Sequence, residues 1–268
     1  MRTAIRNATV LDTASMTFTE SQTVVIEDGI IVQVDSGDAP MADIEIDAAG
    51  KYVVPGMIDG HVHFRLATLN LRAMSLWSEV EFGIVMATLS RNTVERGFTT
   101  VRDLGGDVGG LIRSIKRGAA SGPRIFRAGR MLTQTGGHGD VRAASDTDVP
   151  SCGCSLDANW ASIVADGAEN VRKAARHNLR DGSDFLKIHV SGGVASPSDP
   201  LDSVQYTPEE ITAAVTEAAH RHTYVAAHAY TPEAITMAVT NGVHTIEHGN
   251  LELGQYQLSL KSYIKLKM

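Results

Sequence analysis

The chain changes its hydrophobic rhythm once. From residue 1 to about residue 54, apolar and polar positions alternate in short runs, the spacing of strands with one buried face. Residues 3–10 read as a strand. Residues 23–27 and 30–34 flank Asp28-Gly29, a hairpin turn signal, and residues 43–47 form a further short strand. Nothing in this stretch carries a helical period, so residues 1–54 are expected to form a small β-sandwich module. After Pro55 the pattern becomes short apolar runs, at 57–61, 99–103, 123–128, 184–189, 224–228 and 243–248. Amphipathic stretches near 72–96, 107–120, 160–180, 207–222 and 231–241 separate them. Thr207-Pro208-Glu209-Glu210 and Thr231-Pro232-Glu233 each offer a Thr cap, a proline at the first helical position and acids in the first turn. Gly97, Gly182 and Gly242 close helices.

Repeated strand–helix units predict a parallel sheet covered by helices. The expected class is therefore α/β, with residues 55–250 supplying about six of the eight units of a (β/α)8 TIM barrel. A doubly wound open sheet is the alternative, weakened because no Gly-rich dinucleotide fingerprint follows the first strand. Residues 130–159 and 191–206 are long, polar, Gly-rich loops that follow strand ends, where barrel active sites are built. Residues 251–260 alternate like a strand, and residues 251–268 form an atypical tail ending in Lys261, Lys265 and Lys267.

Composition narrows the function classes. A net charge of −7 argues against a nucleic-acid or anionic-membrane partner. No apolar run reaches the roughly 18 residues of a membrane span, and the N-terminus lacks a signal-peptide core, so a cytoplasmic location is expected. Cys152 and Cys154 are too close for an unstrained disulfide and too few for a structural zinc site; they read as reduced thiols.

The chemistry lies at strand ends. His61 and His63, two apart on one strand, point to one face and can hold a divalent ion together. Lys187, His228 and His248 lie at or near the ends of three later strands, and a barrel gathers all strand C-termini on one rim. A lysine buried among strand residues loses charge, and the neutral amine can add carbon dioxide to become a carbamate with two ligating oxygens. The plainer alternative is a Lys187–Asp184 ion pair. His189 shares the face of Lys187 and is placed behind the ligands. His138, in a Gly-rich loop, is a candidate to polarise a carbonyl. Tyr230 and Arg65 are candidates for a substrate carboxylate. His177, His220, His222 and His244 read as structural or solvated.

Val54-Pro55-Gly56-Met57-Ile58-Asp59-Gly60-His61-Val62-His63 resembles the first-strand signature of the amidohydrolase superfamily. Gly97-Phe98-Thr99-Thr100-Val101-Arg102-Asp103, Lys187, His228-Ala229 and Ile246-Glu247-His248-Gly249 follow in the family's order. Thr135-Gly136-Gly137-His138-Gly139 and Ser191-Gly192-Gly193-Val194 are similar to the imidazolonepropionase-related branch that contains Xaa-Pro dipeptidases. The resemblance implies one or two divalent metals, zinc first. His61 and His63 would hold one, His228 and His248 the other, and carboxylated Lys187 would bridge them. It implies hydrolysis of a C–N bond in a small substrate, a dipeptide or N-acyl amino acid, by a metal-bound hydroxide. A cyclic amidohydrolase or deaminase of the same superfamily is the alternative within the family, and an inactive metal-binding fragment the alternative outside catalysis.

One family feature is missing. The family carries an aspartate at its eighth strand as ligand and base, and no Asp follows Asp202 here. The chain is accordingly expected to be C-terminally truncated, to fold poorly alone, and to present open first and sixth strand edges that invite pairing with a second copy. Glu247 is not expected to replace the base, because alternation points it away from His248.

Overall fold

The computed structural model describes residues 1–37, 41–74, 76–142, 160–196 and 199–250. The expected tail at 251–268 and both cysteines lie outside them. The chain forms two compact units, Met1–Met57 and Ile58–Met268.

The first unit is one five-stranded sheet, where a sandwich was expected. β1 (Arg2–Asp12) pairs antiparallel with β2 (Thr17–Glu27), which pairs antiparallel with β3 (Ile30–Asp35) through the Asp28-Gly29 turn. β4 (Ile44–Asp47) and β5 (Tyr52–Val53) both lie parallel to β1. Ala4, Ala8, Val24 and Val25 are buried, whereas Ile30, Ile31, Val32 and Val34 of β3 stay exposed.

The second unit follows the strand–helix alternation. β6 (Met57–Val62), α1 (Leu71–Met74), α2 (Glu79–Glu95), β7 (Phe98–Asp103), α3 (Gly109–Lys116) and β8 (Arg124–Arg127) come first. β9 (Met131–Thr133), β10 (Ser162–Val164), α4 (Ala168–Arg180), β11 (Leu186–His189), α5 (Pro208–His220), β12 (Val225–Ala229), α6 (Pro232–Thr240) and β13 (Thr245–His248) follow. The strands form two sheets, β6-β7-β8 and β10-β9-β11-β12-β13, and the pairings of β7 with β8 and throughout the second sheet are parallel. β6 pairs only with β7 and β13 only with β12 among the described residues. No helix among the described residues is long and apolar enough to cross a membrane.

The caps expected at Thr207 and Thr231 form. The Thr207 side chain accepts from Glu210 N while the Glu210 carboxylate accepts from Thr207 N, and Thr231 accepts from Ala234 N. The expected helix over 160–180 is corrected. Ser162-Ile163-Val164, two of them β-branched, pair with Met131–Thr133 as a strand, and α4 starts only after Gly167, whose φ of +79° suits a residue without a side chain.

One core cluster joins β11 and β12 to α4, α5 and α6 through Val171, Leu179, Leu186, Ile188, Ile211, Val225 and Ile235. A polar clamp adds to it, since Glu217 of α5 accepts from Nε and Nη2 of Arg176 of α4, each at 2.9 Å. The Arg176 hydrogen bond, the largest effect, holds the Glu217 carboxyl below its ordinary 4.5. A depressed carboxyl pKa contributes stability above the unfolded value and loses it as pH falls through the folded one. Glu217→Gln should therefore cost about 1 kcal/mol at neutral pH, a modest figure because Arg176 is largely exposed. Parallel denaturant titrations at pH 7 and at pH 3 check this: the gap should close at the lower pH.

Candidate functional site

Strand register puts the chemistry in rows. Lys187 of β11 lies beside Ala226 of β12, which lies beside Thr245 of β13; two residues on, His189, His228 and Glu247 make a second row. Neighbours in register share a face, so Lys187, His189, His228 and Glu247 all point inward from the parallel sheet. The loop after β9 adds His138, and the end of β6 adds His61 and His63. All six imidazoles and Lys187 line one cavity of about 330 Å³, together with Tyr230 and the apolar side chains of Leu66, Leu69, Leu71, Met131, Val141 and Val194.

The rings are close. His61 and His63 bring their Nε2 atoms to 3.2 Å. Ring centres lie 4.8 Å apart for His61 and His248, 4.6 Å for His228 and His248, and 4.2 Å for His138 and His228, the last pair stacked. Sequence-distant imidazoles thus meet at one rim, as the barrel reading expects.

His248 reaches the cavity by an unusual route. Its register partner is Ala229, in the row that faces away, but its φ is +76°, outside the strand region. That break re-aims its ring toward His61 and His228. Alternation therefore fails at this strand end, and the expectation for Glu247 is corrected. Glu247 points inward, with Oε2 2.8 Å from His61 Nδ1 and Oε1 bound by Arg102 Nη2.

Hydrogen bonds set the lone pairs. The Gly192 carbonyl only accepts, so His228 Nε2, 3.0 Å away, carries the hydrogen and Nδ1 is left bare. The Glu247 carboxylate likewise accepts from His61 Nδ1, which leaves Nε2 as the atom that faces His63. His63 Nδ1 is buried without a hydrogen-bond partner. Two ligands of one tetrahedral zinc, at roughly 2.0–2.1 Å each, sit about 3.3 Å apart, close to the observed Nε2 spacing. Among the described residues no three His, Cys, Asp or Glu side chains are already arranged around one ion. His61 and His63 fit a metal as a pair of imidazoles.

Burial governs the charges. It lowers the Lys187 pKa to about 7, against the pull of Glu247 and with the push of Arg102. Burial, then the Lys187 charge, takes His63 to about 3 and His248 to about 4. His189 and His228 are also driven down, burial first. At neutral pH these rings are uncharged, the form that donates a lone pair to a metal. Asp184, the alternative partner of Lys187, instead accepts from Arg127 N at 2.8 Å.

His138 sits at the end of a relay that the sequence did not reveal. Its Nδ1 is 2.8 Å from Ser196 Oγ, and Ser196 donates to Asp199. Gln205 holds the loop, accepting from His138 N at 2.9 Å and donating to Asp199 at 2.9 Å. The Gly-Gly pair has a steric cause, since a Cβ at Gly193 would come within 2.1 Å of the His138 ring. Tyr230 is buried, its backbone N–H bound to Ser191 Oγ at 2.9 Å and its ring 4.7 Å from His228.

Arg65 is not brought into the cavity. Its guanidinium donates twice to Glu79, at 3.1 and 2.5 Å, and lies 4.2 Å over the Phe82 ring. Glu79 and Phe82 are its neighbours from α2, a packing that spacing along the chain does not encode.

Parallel strands flanked by helices, with functional side chains gathered at the strand ends, define a TIM-barrel-type α/β fold. The chain belongs to the amidohydrolase family, whose sequence model matches residues 52–260. It is 31% identical over 223 residues to the ochratoxinase of Aspergillus niger, a match covering 76% of this chain and 45% of that protein. A prolidase solved with N-methylphosphonate-L-proline superposes with a TM-score of 0.91 at 40% identity, over 98% of this chain and 64% of that one. A Xaa-Pro dipeptidase solved with methionine in its active site gives 0.82 at 30% identity, over 98% and 65%. The chain therefore spans about half the length of the curated relative and about two-thirds of the solved structures.

Proposed function

We propose that this chain carries the site of a metal-dependent hydrolase of C–N bonds that acts on Xaa-Pro dipeptides or N-acyl amino acids. The observation that carries this reading is the gathering of six imidazoles and a buried lysine around one cavity. The likeness to a prolidase and a Xaa-Pro dipeptidase supports the substrate class.

In this reading His61 and His63 would hold one ion, and His228 and His248 a second. Lys187, its pKa lowered to about 7 by burial, has an uncharged fraction at neutral pH that would be carboxylated and would supply oxygen donors to the metals. Zinc suits this donor set of imidazole and carboxylate-like oxygen. A metal held there would supply a bound water with its pKa lowered toward about 7, and a Lewis acid for the scissile carbonyl. His138, fixed by Ser196 and Asp199, faces the same cavity; with its Nδ1 hydrogen held by Ser196, it would polarise the carbonyl oxygen through Nε2 in its protonated form, which burial disfavours and the Asp199 carboxylate favours. Tyr230 offers its phenol to the substrate carboxylate, a role the Arg65–Glu79 pair leaves to it. The aliphatic side chains of Leu66, Met131 and Val141 exclude water from the amide.

Hydrolysis of a panel of Xaa-Pro dipeptides and N-acyl amino acids tests the reading. Turnover should vanish on chelation and return with zinc; turnover that survives exhaustive chelation counts against it. Hydrolysis of cyclic amides or deamination of purines in the same panel, with dipeptides untouched, would favour the other branch, represented by partial matches to dihydroorotases and an adenine deaminase. For Tyr230→Phe, KM should rise about 10-fold for a dipeptide with a free carboxylate and hold steady for its carboxamide, the loss of one charge-assisted hydrogen bond. An equal rise for both would remove Tyr230 from carboxylate binding.

A further inference from the structure

We propose that Glu247 is a positioning residue for the His61 ligand, clamped in place by Arg102. The proposal rests on the reading of His61 and His63 as two ligands of one metal. Glu247 is buried on β13 at 7% exposure, and each of its oxygens has an assigned task. Oε2 lies 2.8 Å from His61 Nδ1. Oε1 accepts from Arg102 Nη2 and, at 3.0 Å, from Thr245 Oγ1.

Arg102 is fixed on every side. Its Nε donates to the Gly60 carbonyl at 2.9 Å, its Nη1 approaches the Tyr224 hydroxyl at 3.3 Å, and its guanidinium lies 5.3 Å from the centre of the Phe185 ring. Gly60 immediately precedes His61. Arg102 therefore holds the backbone that enters His61 and, through Glu247, the ring that leaves it. β7, β13 and β6 thus fix one imidazole at two points, with its Nε2 facing His63 Nε2 at 3.2 Å.

A carboxylate on the far nitrogen of a ligating imidazole sets ring orientation and strengthens the near nitrogen as a donor. It also places a negative charge beside a site that must take up cations while Lys187 and Arg102 stand close by. A purely structural Arg102–Glu247 bridge would affect thermal stability alone. A positioning role changes metal affinity and the hydrogen position on His61.

Two measurements on the full chain separate these. The first is zinc affinity by chelator competition, for the wild type, Glu247→Gln, and His61→Ala with His63→Ala. Glu247→Gln should weaken zinc binding by 10- to 100-fold, the usual cost of losing such a support. The second is nitrogen-15 NMR of the histidines in metal-free wild type, where His61 should be a single tautomer with its hydrogen on Nδ1. Unchanged zinc affinity in a folded Glu247→Gln protein, or a mixed His61 tautomer in the wild type, overturns the proposal. A wild type that binds no zinc contradicts the metal reading instead, and the NMR measurement still decides the Glu247 contact.

Discussion

Replacing His61 and His63 together by alanine should lower amide turnover by about 1,000-fold or more and leave a folded protein. Neither imidazole belongs to a hydrophobic cluster, and their side-chain contacts are polar or with other cavity histidines, so the hydrophobic clusters lose no member. Metal ions supply several kcal/mol of transition-state stabilisation, and each 1.36 kcal/mol is a factor of ten in rate. Losing about 4 kcal/mol thus gives the stated factor. Steady-state kinetics with metal analysis of the purified variant checks it. Unchanged turnover with a depleted metal content would remove the pair from the chemistry.

Lys187→Met should have opposite effects on activity and stability. Lys187 is 1% exposed, and burial drives its pKa from 10.5 to about 7. Between those values the unfolded chain binds one more proton than the folded one, so stability rises with pH across that window. Below about 7 the amine is charged in both states, and the folded protein carries the full cost of burying it. Methionine fills a similar volume without that cost. The metal-free variant should unfold at an equal or higher temperature than wild type, and its stability should no longer climb between pH 7 and 10.5. Its zinc binding and turnover should fall by about 100-fold or more, because the oxygens that the proposed carbamate would supply are gone. Denaturant titrations across that pH range, paired with zinc binding, test both halves. A destabilised variant that retains two ions would contradict the assignment.

The sequence was informative where the physics is local. Thr207 and Thr231 cap helices as read, and the Asp28-Gly29 turn joins the expected hairpin. The gathering of His61, His63, Lys187, His228 and His248 in one cavity follows because a parallel barrel turns strand ends into neighbours. What escaped depends on contacts across the fold. The strand Ser162–Val164 is three residues long and follows the apolar Trp160-Ala161, so its run merged with the period of the helix beyond it. Glu247 was turned the wrong way because strand alternation was extended through His248, whose positive φ ends it. Arg65 looked free beside a metal pair, but Glu79, Phe82 and Trp160 surround it only in the folded chain. His189, placed behind the ligands, faces the cavity itself, and its Nδ1 has no hydrogen-bond partner.

Anomalous diffraction at the zinc edge, from crystals of the zinc-loaded protein, tests the central claim most directly. The account predicts one peak within bonding distance of His61 Nε2 and His63 Nε2, a second near His228 Nδ1 and His248, and continuous density joining both to Lys187. A cavity without anomalous signal at full zinc loading, or zinc bound only at surface histidines such as His177 and His220, would contradict it.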